Sequence, residues 1–140
     1  MARRKSRIVI DTNIWISFLL TKDFSTFDKI ISTPNLILLF SGELLEEFIE
    51  VASRPKFKKY FSLNDLEELL FQMKTHGEFI IVTSSTNICR DPKDNFLLSL
   101  SKDGKASHLI TGDKDLLDLK KFRRTQIITW KAFLSEYGRI

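Results

Sequence analysis

Carboxylates recur in this sequence directly after short apolar runs, where a parallel sheet would present them at one edge. Asp11 follows the apolar run at 8–10, and Asp113 follows the run at 108–111 with one glycine between. Oxygen-only clusters are what Mg²⁺ and Mn²⁺ prefer, and such an ion offsets the repulsion that crowded carboxylates would otherwise suffer. These residue types therefore point to a hard-metal site, provided that the fold brings them together.

The apolar runs alternate with stretches that show helical periodicity or helix-capping residues. The predicted strands are residues 8–10, 36–40, 79–82, 108–111 and 126–129. The predicted helices are residues 13–20, 24–32, 42–52, 62–76, 92–102, 114–117 and 130–137. Alternation without a hairpin signal predicts an α/β fold, in which a parallel sheet is covered by helices on both faces.

Four acidic positions fall near one edge of this predicted sheet, the edge where ligands bind in open α/β folds. Acids follow the first, second and fourth strands, and Asp94 opens the helix before the fourth strand. On the helix after the second strand, Glu46 and Glu47 flank the apolar face on opposite sides, so spacing alone does not choose between them. Taken singly, each aspartate also suits a helix start. Together the acids predict a metal site that hydrolyses phosphodiesters.

Length and composition are those of a globular protein, and the 140 residues predict a single domain over 1–140. Four basic residues between positions 3 and 7 account for the net charge of +4, so we expect a basic, frayed segment at 1–6. One cysteine excludes a disulfide framework within the chain and a cysteine-based zinc site. We expect His76 and His108 to be structural or surface residues.

Neither a membrane helix nor a signal peptide is predicted. No run approaches the ~20 apolar residues that a membrane-spanning helix needs. The basic start and the apolar residues after it are interrupted by Asp11, Thr12 and Asn13, and no small-residue cleavage site follows. These features favour a cytoplasmic protein without a membrane association.

Basic and aromatic residues interleave at 54–61, which gives a candidate surface for nucleic acid. The candidate contacts are Arg54, Lys56, Lys58 and Lys59. The alternative interpretation is a short amphipathic turn, in which the aromatic rings pack inward and the lysines stay in water.

Four motifs in order resemble the PIN domain, and most closely the prokaryotic PIN group associated with toxin–antitoxin systems. They are residues 8–13 (IVIDTN), 41–48 (SGELLEEF), 91–95 (DPKDN) and 111–117 (TGDKDLL), and the stretch at 53–57 (SRPKF) is also similar to that group. The resemblance runs from about residue 7 to residue 134. It implies a three-layer α/β/α sandwich with a central parallel sheet of four to five strands, in the order of about 3-2-1-4-5.

The resemblance also implies site residues. The catalytic acids would be Asp11, Glu47, Asp94 and Asp113, which places the helix acid on Glu47 rather than on Glu46. Mg²⁺ or Mn²⁺ would be held by Asp11, Asp94 and Asp113. The accessory positions would be Asn13, Thr111 and Asp115. One departure from the family is the polar pair Ser99 and Ser101, where relatives often have an alanine-rich helix face.

The implied activity is a metal-dependent endoribonuclease, the toxin of a toxin–antitoxin pair, with an RNA substrate, a cognate antitoxin and a possible homodimer. The ion would activate water for attack on phosphorus, leaving a 5′-phosphate and a 3′-hydroxyl. The alternative is a non-catalytic module that binds nucleic acid or protein, with the acids serving as helix caps. Chemistry through an aspartyl phosphate on Asp11 is disfavoured. Enzymes of that type resemble one another in a D-x-D motif after the first strand, and Asn13 takes the place of the second aspartate here.

Overall fold

The computed structural model describes residues 6–21, 24–33 and 35–137. All of the predicted basic segment except Ser6 lies outside these ranges. The strands are β1 (Ser6–Ile10), β2 (Leu36–Phe40), β3 (Gly77–Phe79), β4 (His108–Ile110), β5 (Lys121–Phe122) and β6 (Thr125–Ile128). The helices are α1 (Thr12–Thr21), α2 (Phe24–Ile31), α3 (Gly42–Ala52), α4 (Leu63–His76), α5 (Pro92–Asp103), α6 (Lys114–Leu119) and α7 (Trp130–Tyr137).

The strands form one mixed, mostly parallel sheet in the order β3-β2-β1-β4-β6-β5. Leaving out β5, this is the predicted order 3-2-1-4-5, and the α/β class is confirmed. The chain reverses its direction of travel across the sheet between β1 and β4, which pair in parallel with Ile10 opposite Ile110. A crevice opens at such a reversal in doubly wound folds, at the carboxyl ends of the strands.

The expectation that the sheet has no hairpin was wrong. β5 and β6 pair antiparallel, with Phe122 opposite Thr125. The turn between them uses a left-handed backbone at Arg123, with φ 54°. Glycine and asparagine are the residues that usually mark such turns, and this turn has two arginines instead. With only two residues in β5, the sequence carried no strand signal that could have revealed the pairing.

Helix starts follow the capping chemistry that the sequence predicts. The side chain of Ser41 accepts a hydrogen bond from the backbone N–H of Leu44 at the start of α3. Ser62 and Asp65 form a reciprocal capping box at the start of α4. Asp91 caps α5, and Pro92 takes its first position, where no backbone donor is needed. These caps fix where each helix begins relative to the strand edge.

The third strand begins earlier than the predicted 79–82, since β3 follows α4 with no connecting residues. Gly77 permits this because it lies directly against neighbouring residues of the same chain. A Cβ there would lie 2.6 Å from the carbonyl oxygen of Met73 and would overlap the ring of Phe40. Beyond the strand, the backbone N–H of Ile80 still donates to the carbonyl of Phe40, at 2.8 Å.

The core lies between the sheet and the helices and is built from aliphatic strand residues and a group of aromatic rings. Trp15 packs edge-on against Phe18 and Phe27, at centroid distances of 5.7 and 5.2 Å. Of the apolar residues at the end of α1, Phe18 and Leu19 are buried and Leu20 is 38% exposed. The side chain of Phe24 lies outside the described residues. Within the described part of the chain, no helix is long and apolar enough to cross a membrane.

Candidate metal centre

The parallel pairing of β1 with β4 places Asp11 and Thr111 side by side, each one residue past the end of its strand. The hydroxyl of Thr111 donates to Oδ2 of Asp11 at 2.7 Å. The same hydroxyl accepts a hydrogen bond from the backbone N–H of Asp113 at 3.0 Å. Both Asp11 and Thr111 are buried. One threonine therefore connects the acid after the first strand with the turn that carries the acid after the fourth.

Three further carboxylates converge beside this pair. Asp94, Asp113 and Asp115 each offer one oxygen, and these oxygens lie within 4.8 Å of one another. Asp94 projects from the first turn of α5, whereas Asp113 caps α6 and Asp115 lies in its first turn. We call these residues the three-acid group. Its members come from the starts of α5 and α6, and the sheet brings these two helix starts together at the carboxyl ends of its strands.

Asp94 is the least satisfied member of the three-acid group. It is buried, and its Oδ2 has no hydrogen-bond partner among the described residues. Burial, followed by the negative charge of Asp113, raises the pKa of Asp94 to about 6. Burial likewise raises the pKa of Asp11, although the hydrogen bond from Thr111 opposes that shift. An ionised Asp94 therefore costs free energy in this environment unless a cation compensates it.

The residues present fit a divalent cation with a preference for oxygen. All members of the three-acid group are carboxylates, and one buried oxygen lacks, among the residues that the structure describes, the partner that buried polar atoms ordinarily have. Neither histidine contributes: His76 is exposed at the end of α4, and His108 lies on β4 and contacts Ser107 and Glu136. The donor set is that of Mg²⁺ or Mn²⁺ and differs from that of a structural zinc site.

Two basic residues border the acids, and the sequence interpretation had assigned a role to neither. Arg90 pairs with Asp115 at 3.0 Å, and Lys93 pairs with Glu47 at 3.5 Å. Glu47 is half-buried and turned toward α5 through this pair, whereas Glu46 is exposed. Spacing left the two glutamates undecided, and the structure directs Glu47 toward the site. It is not a member of the three-acid group.

Arg90 is positioned by a loop, residues 80–91, that lies along α5 and is held there by side chains of that helix. Asp103 accepts from the backbone N–H groups of Thr83 and Ser84, at 2.7 and 2.9 Å. Near the other end, the Asn95 side chain accepts from the N–H of Cys89 at 2.8 Å and donates to its carbonyl at 3.0 Å. The adjacency of Arg90 to the 91–95 motif was the signal that could have identified it.

The polar departure on α5 has a structural explanation in the same loop. The hydroxyls of Ser99 and Thr86 lie 2.7 Å apart, so Ser99 helps to fasten the loop. Ser101 donates to the carbonyl of Leu97 within the helix, at 2.8 Å. Both serines are buried. An alanine-rich face would leave Thr86 without this partner.

The accessory positions differ in how closely they approach the acids. Asp115 belongs to the three-acid group, and Asp11, which the predicted metal set contained, lies beside that group. Asp11 is connected to the group through Thr111. Asn13 approaches Asp11 through its backbone N–H, 3.4 Å from Oδ1, and its side chain is exposed. The site is thus a group of three acids with a fourth beside it.

The basic and aromatic stretch at 54–61 lies past the C-terminal end of α3, whereas Glu47 lies in the middle of that helix. Arg54 pairs with Glu50 at 3.2 Å. Lys56 and Lys59 lie over the rings of Phe57 and Tyr60, at 5.1 and 5.4 Å from the centroids. Phe57 stacks on the buried ring of Phe61. The stretch is therefore a short amphipathic turn that also exposes cations, so the structure is compatible with both interpretations of it.

Comparison with known proteins identifies the fold. A family model described as PIN domain matches residues 7–115. The chain belongs to the PIN domain family. PIN domains are in general metal-dependent nucleases, and the three-acid group supplies the acidic residues that a divalent metal needs in such a site. Asp11, Glu47, Asp94, Asp113 and Asp115 all lie within the matched residues.

One relative and one solved structure are similar to this PIN domain over nearly its whole length. The uncharacterized protein MJ1680 from Methanocaldococcus jannaschii is 30% identical over 150 aligned residues, which cover 99% of this chain and 96% of the relative. The crystal structure of PAE2754 from Pyrobaculum aerophilum is similar with a TM-score of 0.63 at 13% sequence identity, over 96% of this chain and 91% of that chain. At that identity, the second likeness shows the fold alone.

The cost of the uncompensated Asp94 charge predicts the pH dependence of stability in the metal-free PIN domain. The pKa of Asp94 in the folded protein, about 6, lies above its ordinary value of 3.8, so folding favours the protonated form. The stabilisation that comes from protonated Asp94 in the folded protein is complete below about pH 4 and is lost as the pH rises through 6. In EDTA, Asp94→Asn should therefore gain stability relative to the wild type by up to about 3 kcal/mol between pH 4 and pH 7.

Urea unfolding of both proteins at several pH values measures this difference. Glu67→Gln, which removes an exposed carboxylate from α4, is the matched control and should track the wild type. An Asp94→Asn protein that is less stable than the wild type at every pH in EDTA would show that Asp94 is already compensated without a metal.

Proposed function

We propose that this PIN domain is a Mg²⁺- or Mn²⁺-dependent endoribonuclease. The observation that carries the proposal is the convergence of Asp94, Asp113 and Asp115 beside Asp11, with one buried oxygen of Asp94 left without a partner in the described part of the chain. A helix cap needs no second and third carboxylate close to it, and a buried carboxylate without a partner is unfavourable in a purely structural role. A cation-dependent reaction explains both features.

Residues of the three-acid group would hold the ion, with Asp11 adjacent. A divalent ion there supplies activation of a water molecule and neutralisation of charge on the phosphate. The chain itself contributes orientation. Thr111 fixes the carboxylate of Asp11 by donating to it, which is the role of outer partners in metal sites. Arg90 is 88% exposed and its pair with Asp115 is weak, so its guanidinium is available to a phosphate oxygen.

The reaction proposed is hydrolysis of an internal phosphodiester. The water oxygen bonds to phosphorus and the bond to the 3′-oxygen breaks, so the products carry a 5′-phosphate and a 3′-hydroxyl. The choice of RNA as the substrate, and of a toxin role with an antitoxin partner, rests on the resemblance of the four sequence motifs to toxin-associated PIN proteins. A single domain of 140 residues, homodimerisation and a cytoplasmic location belong to the same proposal.

A second candidate function is a non-catalytic module that binds nucleic acid or protein. It is favoured by the caps, since Asp91 and Asp113 do accept backbone hydrogen bonds at the starts of α5 and α6. Salt-dependent RNA binding without cleavage, unchanged by divalent metal, would identify this alternative.

Cleavage of RNA tests the catalytic proposal directly. Single-stranded and structured RNA, incubated with the wild type and Mn²⁺, should be cut to fragments with 5′-phosphates, and EDTA should abolish cleavage. Asp11→Asn and Asp113→Asn should each lower the rate about a hundredfold or more, because each removes a charge that the site uses in the transition state. Thr111→Val should lose about 10–100-fold, the range for outer partners of metal ligands, while Thr111→Ser should retain most activity.

Glu67→Gln is the matched control for loss of one negative charge, and it should cut RNA at the wild-type rate. Cleavage that persists in EDTA and in Asp11→Asn would show that the nuclease activity comes from another source. Absence of cleavage with every metal, alongside tight RNA binding, would leave the binding module as the better description.

The toxin role has a separate test in cells. Induced expression of the wild type in a bacterial host should slow growth, and Asp113→Asn at equal protein levels should not, because growth arrest would need RNA cleavage. Co-expression of the protein encoded beside this one should restore growth. Normal growth with an active, soluble wild-type enzyme would contradict the toxin role and leave the nuclease proposal intact.

A further inference from the structure

A second charged feature lies at the amino ends of the strands, on the opposite side of the sheet's length from the metal centre. A cleft of about 410 Å³ is lined by Ser101, Lys102, Lys105, Ala106, Arg123, Arg124 and Thr125. Its two walls are the turn between α5 and β4 and the turn between β5 and β6. Four of these residues are basic and none is acidic, so we refer to it as the basic cleft.

The basic cleft carries an excess of positive charge. None of Lys102, Lys105, Arg123 and Arg124 forms an ion pair within the described ranges of the chain. Asp103 is close enough to Lys102 to interact with it electrostatically, but its carboxylate accepts hydrogen bonds from the N–H groups of the loop at Thr83 and Ser84. Four cations around one depression repel each other, and an anion would relieve that repulsion.

The walls of the basic cleft are fastened to each other, so the backbone positions that carry the cations are fixed. The hydroxyl of Thr125 donates to the carbonyl of Ala106 at 2.8 Å, in a buried position. The backbone N–H of Ala106 in turn donates to the carbonyl of Ser101 at 2.8 Å. Both turns carry a basic residue with a left-handed backbone, Lys105 at φ 53° and Arg123 at φ 54°. The cleft is therefore part of the rigid fold.

Strand direction places the basic cleft at the amino ends of the strands and the metal centre at their carboxyl ends. Lys105 precedes β4 and Asp113 follows it, and Arg124 precedes β6, which is parallel to β4. From the rise per residue of an extended chain, the two ends lie about 20 Å apart. The carboxylates at one edge repel a polyanion, whereas the cations at the other edge attract it.

We propose that the basic cleft binds the phosphate backbone of the RNA substrate at nucleotides away from the cleaved bond. The inference rests on the proposed function, since it takes RNA as the substrate. Arginine and lysine side chains that surround a depression match phosphate oxygens, and the arginines can donate two hydrogen bonds to one phosphate. RNA is favoured over an acidic protein segment because no lining residue of the cleft is aromatic or a large aliphatic one, and protein interfaces are anchored by buried apolar or aromatic residues.

The test measures RNA binding without cleavage. Fluorescence anisotropy of a labelled single-stranded RNA of about 20 nucleotides is recorded in EDTA at several salt concentrations. Arg123→Gln/Arg124→Gln and Lys102→Gln/Lys105→Gln, one pair from each wall, should each weaken binding about tenfold. Each should also lower the slope of log affinity against log salt by about 1.4, because each loses two phosphate contacts on a single strand. Thermal unfolding verifies that both variants are folded.

Lys74→Gln/Lys131→Gln is the control for net charge, since it also removes two exposed cations, from α4 and α7. Wild-type affinity in both cleft variants would overturn the proposal, and it is the result expected if the cleft takes an acidic protein segment. An equal loss in the control, or no RNA binding by the wild type, would overturn it as well. If binding depends on the cleft but no metal supports cleavage, the cleft stands and the nuclease proposal fails.

Discussion

The parallel pairing of β1 with β4 is the constraint on which the site depends. It brings two strands that are about a hundred residues apart in the sequence into register, so that Asp11 and Thr111 leave the sheet side by side. The buried hydrogen bond between them fixes the first acid and, through the backbone of Asp113, the turn that carries the second. The three-acid group reaches the site from the starts of α5 and α6, and Glu47 approaches it from the middle of α3. A change in the β1–β4 register would move Asp11 to the wrong side of the sheet, since side chains alternate between faces along a strand.

The metal centre is electrostatically unfavourable on its own, and this is the most informative property of the structure. Asp94 is buried with an oxygen that has no partner within residues 6–21, 24–33 and 35–137, and neighbouring carboxylates add to the cost of its charge. Nearby cations do not relieve it, because Arg90 and Lys93 pair with Asp115 and Glu47 at the border of the group. Stability is thus lower at a group of acids whose chemistry suits a cation, and such unfavourable groups are common where function rather than folding selects the residues. The basic cleft lies at the other end of the strands, so the protein presents opposite charges at the two ends of its strands.

Much of this architecture could be predicted from the sequence, because the fold is encoded by local and repeated signals. Apolar runs and capping residues such as Ser41 and Ser62 define most of the elements, and their alternation defines a parallel sheet. What could not be predicted depends on three-dimensional turns. The two-residue strand β5 is specified by its pairing and carries no pattern of its own. The position of Asp115 beside Asp94 and Asp113 depends on the orientation of α6, and the position of Arg90 depends on a loop that Asn95 and Asp103 hold against α5.

The central claim is that the acids form a metal site, and the most direct measurement is the location of the ion. A crystal of the wild type soaked in Mn²⁺, with data collected where manganese scatters anomalously, should show a peak bonded to carboxylate oxygens of Asp94 and Asp113, with Asp115 or Asp11 completing the protein ligands. Oxygens bound to such an ion lie about 2.0–2.2 Å from it. The same crystal form of Asp94→Asn should show no peak there. A wild-type crystal without a peak at this edge of the sheet, or with Mn²⁺ bound only elsewhere while Asp94 remains unliganded, would contradict the claim.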